Sequence, residues 1–148
     1  MKKTNPNLPS PVGFWVLAQG YKDAAHAVDA RIQGGEYTGM ALIPYVFLCF
    51  RSIELSLKSV LVHAGLSEKT IARELGHALA ALLDRCQSIV SLPLIGISLD
   101  AEKMLRDYSD TYSKKWFEYG DDYWCEPDLG LLRATCDNVC EAVRKHIK

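Results

Sequence analysis

The chain has 148 residues, close to the length of one domain, and 49% of them are hydrophobic while 24% are charged. Seventeen Lys and Arg residues against eighteen Asp and Glu residues give a net charge of −1. This composition is typical of a folded globular domain and excludes a disordered chain. The near-neutral charge also argues against a nucleic-acid-binding surface built on an excess of basic residues.

The start of the chain carries no export signal. Residues 1–9 contain two lysines but no apolar segment before Pro9, so we expect a cytoplasmic protein. The most apolar segment, residues 40–50, is eleven residues long, whereas a membrane-spanning helix needs about 20. We therefore predict no contact with a membrane. The cysteines are odd in number, and we expect reduced thiols that mostly lie in the core: Cys49, Cys86, Cys125, Cys136 and Cys140.

Helical periodicity covers most of the chain. Ser10 followed by Pro11 predicts the start of a first helix, and the pair Gly34 and Gly35 predicts its end. Its apolar residues recur every three or four positions: Phe14, Leu17, Ala18, Tyr21, Ala25, Val28 and Ile32. A second helix, which we place at the centre of the core, is predicted from residues 39–43 to Gly65. Its apolar face consists of Val46, Phe50, Ile53, Leu57 and Leu61.

The remaining helices are shorter or begin at clear caps. Ser67 predicts a short helix through Arg73, and a further helix starts near Gly76 and carries Leu79, Leu82, Leu83, Cys86 and Ile89. Residues 91–99 are predicted to form a loop packed on the body. Asp100 is predicted to cap a fourth long helix whose face holds Met104, Leu105, Tyr108, Tyr112 and Trp116. Asp128 is predicted to cap the last helix, where Leu129, Leu132, Cys136, Val139, Val143 and Ile147 keep helical phase.

Together these patterns predict an all-α fold. We expect an antiparallel bundle of about five main helices that occupies residues 10–148 as a single domain, preceded by a tail at residues 1–9.

The second helix carries a charged residue on its apolar face. At about 100° per residue, Glu54 lies between Phe50, Leu57 and Leu61. A buried carboxylate needs a partner or stays protonated, and Lys58 is four residues further on, at the spacing where Glu before Lys attracts. We predict that Glu54 and Lys58 form a structural ion pair or polar network, with a ligand or substrate site as the alternative.

Two segments around this helix match a known pattern. Residues 52–61 read Ser-Ile-Glu-Leu-Ser-Leu-Lys-Ser-Val-Leu, and residues 76–83 read Gly-His-Ala-Leu-Ala-Ala-Leu-Leu. The chain thereby resembles the HEPN domains, small helical bundles of prokaryotic defence and toxin–antitoxin systems, which often carry Glu-Leu-x-Leu-Lys on one helix and His-Asp-Leu on a later one. Ala78 replaces the Asp, and residues 108–120 resemble the Tyr-rich end of the helix before the last. The resemblance spans about residues 40–147 and implies a homodimer that binds a nucleotide or RNA.

The resemblance also implies a possible activity. Many HEPN proteins are metal-independent ribonucleases with an Arg followed, after four to six residues, by a His that acts as general acid or base. Here Arg73 precedes His77 by three intervening residues, and Arg144 precedes His146 by one. We therefore predict a binding module without the usual ribonuclease pair, in which His77 joins a polar network. A nuclease toxin that uses Arg73 and His77 is the alternative, and an antitoxin or nucleotidyltransferase is the implied partner protein.

Two further kinds of site were weighed. Glu74 and His77 have the Glu-x-x-His spacing of helical metal sites, and a metal-binding bundle enzyme ranks third, although Gly76 interrupts the pair. We predict no cofactor. The aromatic residues of segment 116–124 alternate with carboxylates that repel phosphate, so this segment favours a core edge or a protein contact over base stacking.

Overall fold

The computed structural model describes residues 10–35, 42–114 and 125–148. Every regular element within these ranges is helical, which confirms the predicted all-α bundle. The elements are α1 (Pro11–Gln33), α2 (Leu42–His63), α3 (Glu68–Glu74), α4 (Leu79–Gln87), a 3-10 helix (Leu92–Ile95), α5 (Leu99–Ser113) and α6 (Leu129–His146). The predicted tail at residues 1–9, the predicted start of the second helix before Leu42 and the aromatic segment 116–124 lie outside the described residues.

Helix α2 forms the centre of the bundle and packs against α1, α4 and α6. Small polar side chains let α1 approach it closely. Ser52 Oγ donates to the Ala18 carbonyl at 2.7 Å, and Ser59 Oγ donates to the Pro11 carbonyl at 2.6 Å. These buried hydroxyls are thus satisfied by the α1 backbone. Although α2 is the most apolar helix, no helix of the described ranges has both the length and the hydrophobicity to cross a bilayer.

Helix α6 closes the bundle on α1 and α2. The Trp15 indole donates to the Cys140 carbonyl at 2.8 Å, and Arg133 pairs with Asp29 at 2.6 Å. The apolar face predicted for this helix is confirmed, since Leu132, Cys136, Val139 and Val143 are all buried. This face is therefore covered within the chain itself.

The predicted N-terminal caps agree with the structure at three positions and differ at one. Ser10, Ser67 and Asp128 cap α1, α3 and α6 as predicted. The predicted cap Asp100 is wrong: Ser98 Oγ accepts from the Ala101 amide at 3.1 Å, and α5 begins at Leu99. Asp100 lies instead in the first turn, where its negative charge interacts favourably with the helix dipole.

Two predicted core residues are exposed. Leu17 is 56% exposed, because α1 buries the stripe of Phe14, Ala18 and Ala25, and Leu17 lies about 100° around the helix from Ala18. Ile89 is also exposed, because α4 ends at Gln87 and the chain turns away from the core there.

The predicted packed loop at residues 91–99 contains the 3-10 helix, and it buries Leu92, Ile95 and Ile97. Gly96 follows this helix with a φ of +84°, and a Cβ placed on it would lie 2.5 Å from the Asn138 carbonyl oxygen. Only glycine allows the loop to approach the α6 backbone this closely.

Candidate functional site

A fully buried carboxylate in the middle of α2 gathers four donor side chains. Glu54 Oε1 accepts from Lys58 Nζ at 2.6 Å, from His77 Nδ1 at 2.8 Å and from Arg51 Nη1 at 3.0 Å. Glu54 Oε2 accepts from Arg51 Nη1 at 3.0 Å and from the Tyr112 hydroxyl. A carboxylate offers about four lone-pair sites, so these contacts saturate it. We call these five residues the Glu54 cluster.

Two helices supply three of the donors. Arg51 and Lys58 flank Glu54 on α2 at the i−3 and i+4 positions, so all three side chains lie on one face of the helix. Tyr112 comes from α5, and its ring packs against Phe50 of α2 with ring centroids 5.8 Å apart. The aromatic contact holds the Tyr112 hydroxyl toward the carboxylate.

His77 reaches the cluster from the turn between α3 and α4. Gly76, at a φ of +54°, ends α3 and turns the chain back toward α2. Because a carboxylate oxygen only accepts, Nδ1 of His77 carries a proton and donates it to Glu54. Arg51 Nη1, 3.2 Å from Nδ1, is a second donor to the same oxygen rather than a partner of the imidazole. The side chain of His77 is 48% exposed.

The ionisation of the cluster follows from these contacts. Burial by itself would raise the pKa of Glu54. The interactions of the carboxylate with Lys58, Tyr112 and Arg51 have a larger, opposite effect, so the pKa lies below its usual range. Burial, together with the negative charge of Glu54, raises the pKa of Tyr112 far above its usual range. Glu54 is therefore ionised and Tyr112 neutral near pH 7. A saturated carboxylate of low basicity positions its neighbours and does not itself act as a general base.

The cluster has an excess of positive charge. One carboxylate, Glu54, faces two permanent cations, Arg51 and Lys58. The Lys58 side chain is 10% exposed, whereas the side chains of Arg51 and His77 are 27% and 48% exposed. Arg51 and His77 therefore form the accessible edge of the site. An anion that reaches this edge meets the guanidinium of Arg51, whose planar N–H groups match the geometry of phosphate oxygens.

The structure brings together three residues that the sequence singled out: Glu54, Lys58 and His77. It does not bring Arg73 to them. Arg73 lies on α3 with a largely exposed side chain, 3.6 Å from Glu74. The arginine beside His77 is Arg51.

The structure also separates Glu74 from His77, the two residues considered as metal ligands. Gly76 ends α3 between Glu74 and His77, so the two do not share a helical face. Glu74 pairs with Arg85 at 2.8 Å while His77 pairs with Glu54. No group of three or more His, Cys, Asp or Glu side chains in the part of the chain that the structure describes could hold a metal ion.

Sequence reasoning missed Arg51 and Tyr112. The i−3 spacing of Arg51 from Glu54 was a usable signal. Tyr112 stood on a predicted apolar face, but nothing in the sequence indicated that its hydroxyl meets a residue 58 positions away.

No family model, curated protein or solved structure matches this chain. The Glu54 cluster is therefore the feature on which a functional proposal rests.

Proposed function

We propose that the protein is a helical-bundle module that binds a phosphate-bearing ligand at the exposed edge of the Glu54 cluster. The observation that carries this proposal is the charge balance: among the described residues one carboxylate, Glu54, pairs with both Arg51 and Lys58. Poorly solvated charge without a counter-ion is unfavourable, and a phosphate group beside Arg51 and His77 supplies the missing negative charge. Arginine suits this role because its planar N–H groups match phosphate oxygens.

The direct test is a titration with inorganic phosphate at constant ionic strength, followed by NMR or calorimetry. We expect Arg51→Gln to weaken phosphate binding at least about tenfold, the usual effect of losing a charge-assisted hydrogen bond. Arg73→Gln is the matched control, since Arg73 is an exposed arginine outside the cluster, and it should bind phosphate as the wild type does. Equal losses in both variants, or no phosphate binding by the wild type, would contradict the proposal.

Ribonuclease activity is the second candidate, and the orientation of His77 favours it. Glu54 accepts from Nδ1, and the half-exposed imidazole lies beside Arg51. This arrangement supports proton transfer at a ribose hydroxyl, with Arg51 stabilising charge on the phosphate. In this candidate Arg51 is the arginine that acts with His77, a role for which the sequence had suggested Arg73.

Incubation of the purified protein with a mixed RNA and a chelator separates the two candidates. As a binding module the protein should leave the RNA intact. Cleavage that persists with the chelator and disappears in a His77→Ala variant that is still folded at the assay temperature would establish the ribonuclease. Cleavage that the chelator stops would show metal-dependent chemistry and contradict both candidates.

The HEPN resemblance sets the proposed biological context. The motif residues Glu54, Lys58 and His77 converge on one site, which supports treating the two motifs as parts of a single unit. We place the module in a prokaryotic defence or toxin–antitoxin system, with an antitoxin or nucleotidyltransferase as partner. The five cysteines are unpaired, which supports action in the reducing cytoplasm. An adjacent nucleotidyltransferase or antitoxin gene is the expected genomic observation.

The proposal includes the homodimer that the HEPN resemblance implies. The apolar face of α6 is covered within the chain. Exposed large apolar side chains around the 3-10 helix offer a different surface for a dimer: Ile89, Leu94 and Leu99. Light scattering at low micromolar concentration should give the mass of a dimer, and a clean monomer would remove this part of the proposal.

A further inference from the structure

A shallow apolar groove of about 270 Å³ lies between α1 and α2. It is lined by Val16, Leu17, Gly20, Tyr21 and Ala24 of α1 and by Leu48 of α2. Val16 and Leu17 are more than half exposed, at 55% and 56%. Pockets for drug-sized ligands usually measure about 300 to 1,000 Å³, so the groove suits a smaller group such as one aromatic ring or a short alkyl chain.

The groove ends beside the Glu54 cluster. Tyr21 lines the groove, and the guanidinium of Arg51 lies 5.9 Å from the centre of the Tyr21 ring. This cation–π contact joins the apolar lining directly to the proposed anion site. Leu48 is one helical turn before Arg51 on α2, so it approaches the same region from the other helix.

We infer that the ligand of the Glu54 cluster is a small organic phosphate whose apolar group lies in this groove; the inference rests on the proposed phosphate site. Charge complementarity selects this occupant, because the groove has an apolar lining and a cationic end. Inorganic phosphate alone would leave Val16 and Leu17 in water, whereas an aryl or short alkyl ester covers them. The apolar group adds affinity by burying this surface.

Gly20 provides a clean way to block the groove. It lies inside α1, and a Cβ placed on it meets no atom within 4 Å. Gly20→Leu therefore fills the groove without backbone strain, and helix propensity favours leucine over glycine. Gly20→Ala is the matched control, since it gives the same helical benefit while adding only one methyl group.

The experiment compares inorganic phosphate with phenyl phosphate. We expect the wild type and Gly20→Ala to bind phenyl phosphate at least about tenfold more tightly than inorganic phosphate. Burying apolar surface equal to that of two methylene groups is enough for a gain of this size. Gly20→Leu should lose this preference and still bind inorganic phosphate.

Each other outcome has a distinct meaning. If inorganic phosphate binds and phenyl phosphate binds no more tightly, the inference is wrong and the phosphate site stands. If neither binds, the proposed function itself fails. A wild-type dimer that Leu17→Asp converts to a monomer would show that a second copy covers the groove, which also overturns the inference.

Discussion

The burial of Glu54 makes a quantitative prediction about stability. Glu54→Gln leaves the side-chain shape unchanged but removes the charge that compensates Arg51 and Lys58. Removing one partner from a buried ion pair costs about 3 to 5 kcal/mol. Unfolding entropy is about 2.1 cal/mol/K per residue, or about 0.31 kcal/mol/K over 148 residues. The melting temperature should therefore fall by about 10 to 16 °C.

The partner substitution should cost less, because the carboxylate has other donors. In Lys58→Met, Glu54 keeps Arg51, His77 and Tyr112, so the loss is that of one charged hydrogen bond, about 1.5 to 3 kcal/mol. The double variant should be no less stable than Glu54→Gln alone, because it no longer contains an unpaired Lys58. Such non-additivity measures the coupling within the pair.

Thermal melts of the two single variants and the double variant provide the assay. Lys103→Met is the matched control, because Lys103 pairs with a carboxylate at the same i,i+4 spacing but is exposed. It should hardly change the melting temperature. Additive losses below about 1 kcal/mol for Glu54→Gln and Lys58→Met would match an exposed pair and refute the argument from burial.

The same carboxylate should make stability depend on pH. Its folded-state pKa is lowered, so its contribution is complete above the unfolded value of about 4.3. That contribution is lost as the pH falls from there through the lowered folded pKa. The stability difference between the wild type and Glu54→Gln should therefore be constant from pH 7 to about pH 5 and shrink at lower pH. A difference that grows on acidification would show that the folded pKa is raised instead.

Three further predictions follow from particular contacts. Tyr112→Phe should cost about 1 to 3 kcal/mol in chemical denaturation, because it removes a donor to a buried charge. Tyr108→Phe, whose lost partner is the Cys125 carbonyl, should cost less. Gly96→Ala should cost at least about 2 kcal/mol from backbone strain and the clash with α6. Gly76→Ala places its Cβ 3.9 Å from the Ala72 carbonyl oxygen, an ordinary contact, and so adds strain alone. A thiol reagent at pH 8 should modify one cysteine rapidly, the exposed Cys125. The other four thiols are buried and should react only on unfolding. Burial also raises the pKa of Cys86 to about 12, and two fast thiols would contradict the described core.

The sequence predicted part of the Glu54 cluster because helical phase is a local property. Glu54 and Lys58 lie on one helix, so the 100° rotation per residue was enough to place the first in the core and the second beside it. His77 was noticed through its motif, but the turn at Gly76 that aims it at Glu54 depends on the packing of α3 and α4 against α2. Tyr112 could not be assigned, since its partner lies on another helix.

The sequence by itself determined the helical class, most helix ends and the buried faces of α2 and α6, because propensity, capping and periodicity act over a few residues. Only the tertiary structure decided which arginine accompanies His77, that Leu17 is exposed while Ala18 is buried, and that the apolar groove adjoins the Glu54 cluster. These features depend on how helices approach each other. That approach is set by the fit of side chains from distant parts of the chain, for which a single sequence contains no local signal.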